Sequence, residues 1–99
     1  MKTFHGCVFM DKSELEKVGI NHPIKVEYYK TKESNQNLEK YGIEVIKTEY
    51  FGEDIKIEKA YIKNITDNEG KADGILNLLK QYQVTPVTAQ DVVNDLIYK

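Results

Sequence analysis

Three side chains of this sequence belong to the types that bind metal ions or attack substrates. They are the imidazoles of His5 and His22 and the thiol of Cys7, and the chain has no other His or Cys. An extended backbone would place His5 and Cys7 on the same side, but a structural zinc ion takes four ligands, so a carboxylate would have to complete the set. Cys7 would act as a nucleophile only if one imidazole served as its base. We therefore predict a buried thiol and two surface imidazoles, with no metal site and no catalytic residue.

The charged residues disfavour phosphate chemistry. All 14 basic residues are lysine, the acidic residues number 16, and the formal net charge is −2. Arginine, which suits forked hydrogen bonds to phosphate and guanine best, does not occur. The glycines are scattered singly and form no phosphate-binding loop. The sequence therefore predicts no cofactor and no enzymatic activity.

The C-terminal stretch VTPVTAQDVVNDLI, which follows LLKQYQ, has the outline of a helix-turn-helix. A recognition helix presents polar or basic side chains to base edges and is flanked by cations. The charged residues from Val84 onward are Asp91, Asp95 and Lys99, so the outer side of this helix is net acidic. We therefore favour two short helices that pack on each other and on a sheet, with Val84 and Val87 anchoring the turn. Nucleic-acid binding is the alternative.

Alternating apolar residues predict three strands. The first is IKVEYYKT, in which alternate residues from Ile24 to Tyr28 share a face, and the polar stretch KESNQNLEK after it predicts a loop. YGIEVIKTEY and DIKIEKAYIKNI form a hairpin around FGED, where Gly52 can adopt a positive φ angle. The apolar phase of the last strand changes after Ile57, which predicts a bulge near Lys59.

Two helices are predicted after the strands, because apolar residues there recur every three or four residues instead of every two. Thr66 or Asp67 is the predicted N-cap of TDNEGKADGILNLLKQYQ, Pro86 ends that helix, and Thr88 starts the next one. Strands followed by helices indicate the α+β class. We predict one domain, residues 1–99, in which an antiparallel meander of three to four strands is packed on one face by the two C-terminal helices.

Residues 1–23 are interpreted as a variable N-terminal addition to the sheet and helices of residues 24–99. TFHGCVFM could supply a fourth strand, and Asp11 or Ser13 could cap a short helix with Leu15 and Val18 at helical spacing.

Tyrosine is in excess, with seven copies, and most of them fall in the predicted strands. The three-strand core needs only one apolar face against the helices. We assign that face to Val26, Tyr28, Ile43, Val45, Ile55 and Ile57. Tyr29, Ile46 and Tyr50 then lie on the opposite face, with Phe51 at its edge. An exposed patch of this kind marks either a partner surface or a place covered by the same chain. The apolar residues of the N-terminal segment favour cover by that segment.

From Ile24 onward, the order KVEYY, YGIEVIK, EKAYIKNIT and VTPVTAQDVVNDLI resembles a family of small uncharacterised proteins of clostridia-like Gram-positive bacteria. The resemblance covers residues 24–97. It implies a cytoplasmic bacterial protein with a domain of unknown function, and it carries no activity, ligand or catalytic residue.

These observations predict a non-enzymatic protein-interaction or regulatory domain. Its partner is a protein, with a second copy of the chain as one option, and it binds either the patch of Tyr29, Ile46 and Tyr50 or the acidic side of the last helix at Asp91 and Asp95. The lone cysteine fits the reducing cytoplasm, and the longest apolar runs are far too short to cross a bilayer. We therefore expect no membrane partner and regard nucleic acid as the weaker alternative.

Overall fold

The computed structural model describes residues 1–11, 15–17, 19, 20, 22–36 and 38–98. They form strands β1 (Lys2–Met10), β2 (Ile24–Asn35), β3 (Leu38–Phe51) and β4 (Asp54–Thr66), then helices α1 (Glu69–Gln81) and α2 (Pro86–Ile97). The strands make one antiparallel sheet in the order β1-β2-β3-β4. Both helices pack on the same face of this sheet. The predicted α+β meander is thereby confirmed, and its fourth strand is β1 from the N-terminus.

The core lies between the helices and one face of the sheet. Alternate residues of the central strands point into it, as their sequence pattern predicts. Its fully buried members are Val26, Tyr28, Ile43, Val45, Leu76, Leu79, Ala89 and Val93. Each large aliphatic side chain buried in this way contributes about 1.5–3 kcal/mol, so this single layer of contacts holds the helices on the sheet.

Beyond the apolar core, charged side chains fix where α1 lies on β2. Lys30 is on the helix-covered face, and its Nζ is 2.8 Å from Glu69 Oε2 and 3.0 Å from Asp73 Oδ1. These two carboxylates raise the pKa of Lys30, and the hydrogen bond that Lys30 donates to Glu69 is the larger cause. The first turn of α1 is thereby held over the middle of β2.

The predicted loop over residues 32–40 is wrong. β2 continues to Asn35 and β3 begins at Leu38, so residues 36 and 37 alone connect them, and Gln36 has a φ of 49°. Polar residues extend the ladder here because cross-strand ion pairs replace apolar contacts, as between Lys32 Nζ and Glu39 Oε1 at 3.2 Å. The hairpin at FGED is present, and Gly52 has a φ of 63°.

The predicted bulge near Lys59 is also wrong, because β3 and β4 pair regularly from Phe51–Asp54 to Ile43–Ile62. The irregularity lies further along β4, where Asn64 has a φ of 53°. Strand alternation therefore never changes face between Ile55 and Ile62. Ile55 and Ile57 lie on the face opposite the helices instead of in the core.

The helix boundaries differ from the predicted caps by a residue or more. Asn68 is the N-cap of α1, and its side-chain oxygen accepts a hydrogen bond from the Lys71 amide. α2 begins at Pro86, a favoured first position since proline lacks the N–H that would be unpaired there. Val84 is buried in the turn as expected, but Val87 is 75% exposed and does not anchor it.

The predicted cover by the N-terminal segment is wrong for its described residues. β1 lies beside β2 in the plane of the sheet, so it extends the sheet and covers neither face. Leu15 follows it into the core on the helix side, where it packs with the buried residues of β2. The predicted roles of Ser13 and Val18 in a short helix fall outside the described residues.

Candidate functional site

The face of the sheet opposite the helices, called here the open face, is the candidate site. Strand alternation and the pairing register place its residues, since paired residues of neighbouring strands share a face. They are Lys2, Phe4, Cys7 and Phe9 on β1, Lys25, Glu27, Tyr29 and Thr31 on β2, Gly42, Glu44, Ile46, Thr48 and Tyr50 on β3, and Ile55, Ile57, Lys59 and Tyr61 on β4.

Large apolar side chains on the two outer strands of the open face are exposed. The exposed fractions are 54% for Phe4, 59% for Phe9, 61% for Ile55 and 56% for Ile57, and Tyr61 adds a ring that is 44% exposed. Single exposed apolar residues are ordinary on protein surfaces. Here five of them line the two outer strands of one face, on either side of the polar and charged residues of β2 and β3. Exposed apolar residues grouped on one face are typical of a binding surface.

The sequence placed Tyr29, Ile46 and Tyr50 on this face, and the register places all three there, with Tyr29 opposite Glu44 and therefore far along the sheet from Tyr50. All three are half-buried in the two central strands. The Tyr29 ring lies against Phe4, with ring centroids 5.5 Å apart, and Lys2 Nζ is 4.5 Å from the centre of the Tyr29 ring. Tyr29 is therefore held in place by its neighbours before any partner binds.

Charged groups on the open face are neutralised mainly within the chain. Lys2 Nζ is 2.8 Å from Glu44 Oε1, and Lys25 Nζ is 3.7 Å from Glu27 Oε1. The Tyr29 hydroxyl donates a 2.8 Å hydrogen bond to Glu27 Oε2, which raises the pKa of Tyr29. These pairs leave a face of mixed, locally balanced charge between the apolar residues.

The other two predicted partner-binding residues do not belong to this face. Asp91 and Asp95 are exposed on α2, which packs on the opposite face of the sheet. Asp95 borders a shallow depression with Val92, Leu96 and Tyr98. The five residues predicted as one partner-binding set therefore divide between two surfaces on opposite layers of the molecule.

The structure separates the three candidate metal ligands. A register shift between Phe4 and Gly6 turns His5 toward α1, where its Nε2 is hydrogen-bonded to Asn77 Oδ1 at 2.8 Å. Cys7 lies on the open face and is exposed, which contradicts both the shared side with His5 and the buried thiol. Among the described residues, no group of three or more His, Cys, Asp and Glu side chains is placed to hold a metal ion.

His22 belongs to a separate cluster beside the N-terminal end of β2. Its Nε2 is 2.6 Å from Glu49 Oε2, and Lys47 Nζ is 3.2 Å from Glu49 Oε1. Burial alone would raise the pKa of Glu49, but the hydrogen bonds from His22 and Lys47 outweigh it and hold that pKa below its ordinary value. The His22 ring also packs on Phe51, with centroids 4.0 Å apart. This cluster ties the chain before β2 to the end of β3.

Sequence reasoning missed the residues that dominate the open face. Phe4 and Phe9 were assigned to a covering segment, and Ile55 and Ile57 to the core. For Ile55 and Ile57 the signal was present in the sequence of β4. They alternate with Lys56 and Glu58 and lie an odd number of residues from Ile62, so they point to the opposite face from Ile62. An unbroken strand with this pattern carries apolar residues on both faces.

The fold and the site together define a two-layer α+β domain whose sheet exposes apolar side chains on its outer face. The chain belongs to a family of unknown function (DUF6514), whose model matches residues 8–99. The predicted membership of an uncharacterised family is thereby confirmed, and the family pattern includes most of β1 as well as residues 24–97. No curated protein and no solved structure matches the chain.

In the part of the chain that the structure describes, no helix has the length and apolar character needed to span a bilayer.

Proposed function

We propose that this protein is a non-enzymatic protein-interaction or regulatory domain that binds a protein partner through the open face. The observation that supports this function is the shared exposure of Phe4, Phe9, Ile55 and Ile57 on one face of the sheet. Aromatic and aliphatic side chains of this kind are the residues that partners bury at the centre of an interface.

The energetic basis of binding is the removal of these side chains from water. Buried apolar area contributes about 25 cal/mol per Å², and the apolar residues of both outer strands lie on the same face, where one partner surface can contact them. Tyr29 is already ordered by Phe4 and Glu27, so little further side-chain entropy is lost when a partner binds. The face is therefore pre-organised for a protein surface of complementary shape.

The acidic side of α2 makes at most a secondary contact with the partner. Asp91 and Asp95 are exposed, but among the described residues only Val87 and Tyr98 are exposed large apolar residues on or beside α2, against five on the open face. The sequence motifs support a clostridia-like Gram-positive bacterium as the source, and the exposed thiol of Cys7 is compatible with a reducing cytoplasm. We place the interaction in that compartment.

Affinity capture from the native host with matched charge variants tests the proposal. The bait is the tagged chain, wild type or with Ile55→Lys and Ile57→Lys together, and the recovered proteins, untagged copies of the chain included, are quantified by mass spectrometry. We expect the double variant to lose at least about tenfold of the specific partner, because two buried charges cost several kcal/mol.

Val87→Lys is the matched control, since Val87 is an exposed apolar residue on α2, which packs on the opposite face of the sheet. It should recover the partner as wild type does. Circular dichroism checks that all three proteins are folded. Equal recovery by wild type and the Ile55→Lys/Ile57→Lys variant would show that the open face is not the binding surface.

A further inference from the structure

We propose that the partner on the open face is a second copy of this chain, packed sheet against sheet about a two-fold axis that runs parallel to the strands. This inference rests on the proposed function and identifies the occupant of the same face. It is carried by the order of apolar and charged residues across the four strands, by the charges that each symmetry would bring together, and by the area of the face.

Register pairing arranges the open face in rows that cross the sheet from β1 to β4. The three central rows are Phe9–Lys25–Thr48–Ile57, Cys7–Glu27–Ile46–Lys59 and Phe4–Tyr29–Glu44–Tyr61. The first and third rows have apolar or aromatic residues at both outer strands and polar or charged residues between them. Each of these two rows is therefore similar when read from either end.

A two-fold axis parallel to the strands reverses each row and keeps its position along the sheet. β1 of one copy then faces β4 of the other. Phe9 meets Ile57 of the second copy, and Phe4 meets Tyr61 of the second copy. The four apolar contacts that result lie on the outer strands, where side chains are most exposed in the isolated chain. The Phe4–Tyr61 contacts are aromatic pairs, which attract each other beyond the effect of their buried area.

The charges of the middle row favour this axis over a perpendicular axis through the same row. A two-fold axis perpendicular to the strands and passing through this row would bring Glu27 onto Glu27 and Lys59 onto Lys59 of the second copy. Like charges in direct contact across an interface strongly disfavour association. With the parallel axis, Glu27 faces Ile46 and Lys59 faces Cys7 of the second copy, so the chain avoids both repulsions.

The charged side chains on the central strands add little cost to this packing. In the isolated chain the side chains of Lys25, Glu27 and Glu44 are only 35%, 21% and 18% exposed, and each forms an ion pair within its own chain. Most of their desolvation has therefore occurred on folding. Lys59 is on the outer strand β4, where its flexible stem can carry the ammonium group to the solvent at the rim.

The size of the open face suits a pair of identical chains. Four strands about 4.8 Å apart and about nine residues at 3.3 Å each cover roughly 600 Å². Stable interfaces bury roughly 600–1,000 Å² from each partner, and side-chain relief raises the accessible area of this face above its flat projection. Full coverage of the open face by a second sheet is therefore sufficient for a specific dimer.

The native thiol gives a direct test of the axis. With the parallel axis, Cys7 of one copy faces position 59 of the other, across sheets that pack about 10 Å apart. A short bismaleimide should therefore convert the Lys59→Cys variant to a covalent dimer at least about tenfold faster than wild type. The double variant Lys59→Cys/Cys7→Ser should cross-link no faster than wild type. Rapid cross-linking of the wild type through Cys7 alone, or an equal rate in both thiol variants, would overturn the proposed axis.

The mass in solution tests the second copy itself. Light scattering at about 50 μM should give the wild type twice the 11.5 kDa of the chain, Val87→Lys the same doubled mass, and Ile57→Lys the mass of one chain. A wild type that stays at 11.5 kDa would overturn the dimer. If host capture then still depends on Ile55 and Ile57, the open face binds a different protein and the proposed function stands.

Discussion

At the scale of single residues, Tyr28 joins the two layers of the molecule. Its side chain is fully buried, and its hydroxyl donates a 2.7 Å hydrogen bond to the backbone carbonyl of Val84, in the turn between α1 and α2. Burial raises the pKa of Tyr28 to about 12. The phenol therefore stays protonated near neutral pH and remains a donor, so one side chain of β2 positions the turn that carries α2.

Tyr28→Phe should lower the free energy of unfolding by about 1–2 kcal/mol, because the buried carbonyl of Val84 loses its donor. Urea unfolding followed by circular dichroism measures the change. Tyr29→Phe is the matched control: the neighbouring phenol is on the open face and bonds the half-exposed Glu27, so its loss should cost at most about 0.5 kcal/mol. Equal losses in the two variants would refute the structural role of the Tyr28 hydroxyl.

At the scale of elements, the contact between β3 and β4 depends on a glycine. Gly42 lies next to the register shift in this pair. A Cβ atom on Gly42 would be 2.5 Å from the carbonyl oxygen of Ile62 and 2.6 Å from Thr31 Oγ1. Both distances are shorter than van der Waals contact, so the strands approach this closely only where a side chain is absent. The irregular end of β4 is built around this position.

Gly42→Ala should therefore lower the free energy of unfolding by about 1–3 kcal/mol, the usual cost of overpacking. The matched control is Gly74→Ala in α1, where a Cβ atom would meet nothing within 4 Å. Alanine suits a helix interior better than glycine, so this control should gain up to about 1 kcal/mol. Chemical denaturation of both variants gives the comparison, and a Gly42→Ala protein as stable as wild type would contradict the close strand contact.

At the scale of the whole molecule, one layer of helices covers only one of the two faces of a four-stranded sheet. The core side holds the helices through residues such as Val26, Ile43 and Leu76, whereas Phe9 and Ile57 on the other side stay exposed. A sheet with apolar residues on both faces reaches its lowest free energy when a second surface covers the open one. The second copy proposed above supplies that surface.

The dimer predicts a melting temperature that rises with protein concentration, because dissociation and unfolding are then coupled. For a pair of chains of this size, a hundredfold increase in concentration should raise the melting temperature by roughly 5–10 °C. Differential scanning fluorimetry from micromolar to submillimolar protein measures this shift. Ile57→Lys should melt at one temperature throughout. A concentration-independent wild type would contradict the coupling.

Much of the fold was predictable because it depends on local patterns. Alternation along β2 and β3 identified the buried face from Ile24 to Val45, and the change to helical spacing located α1 and α2. Gly52 indicated the turn of the last hairpin, and Pro86 indicated the break between the helices, through backbone constraints that act within a few residues. Tyr29, Ile46 and Tyr50 were placed on one face by the same alternation.

The sequence by itself determined the types and order of the central elements, the core residues of β2 and β3, and the absence of arginine from a net acidic chain. Only the tertiary structure decided that residues 2–10 form an edge strand and that Ile55 and Ile57 lie on the open face. Alternation within a strand shows which residues share a face, but hydrogen-bond register with a distant strand decides which face that is. The candidate site arises from these long-range pairings, because they bring β1 and β4 to the two edges of one sheet.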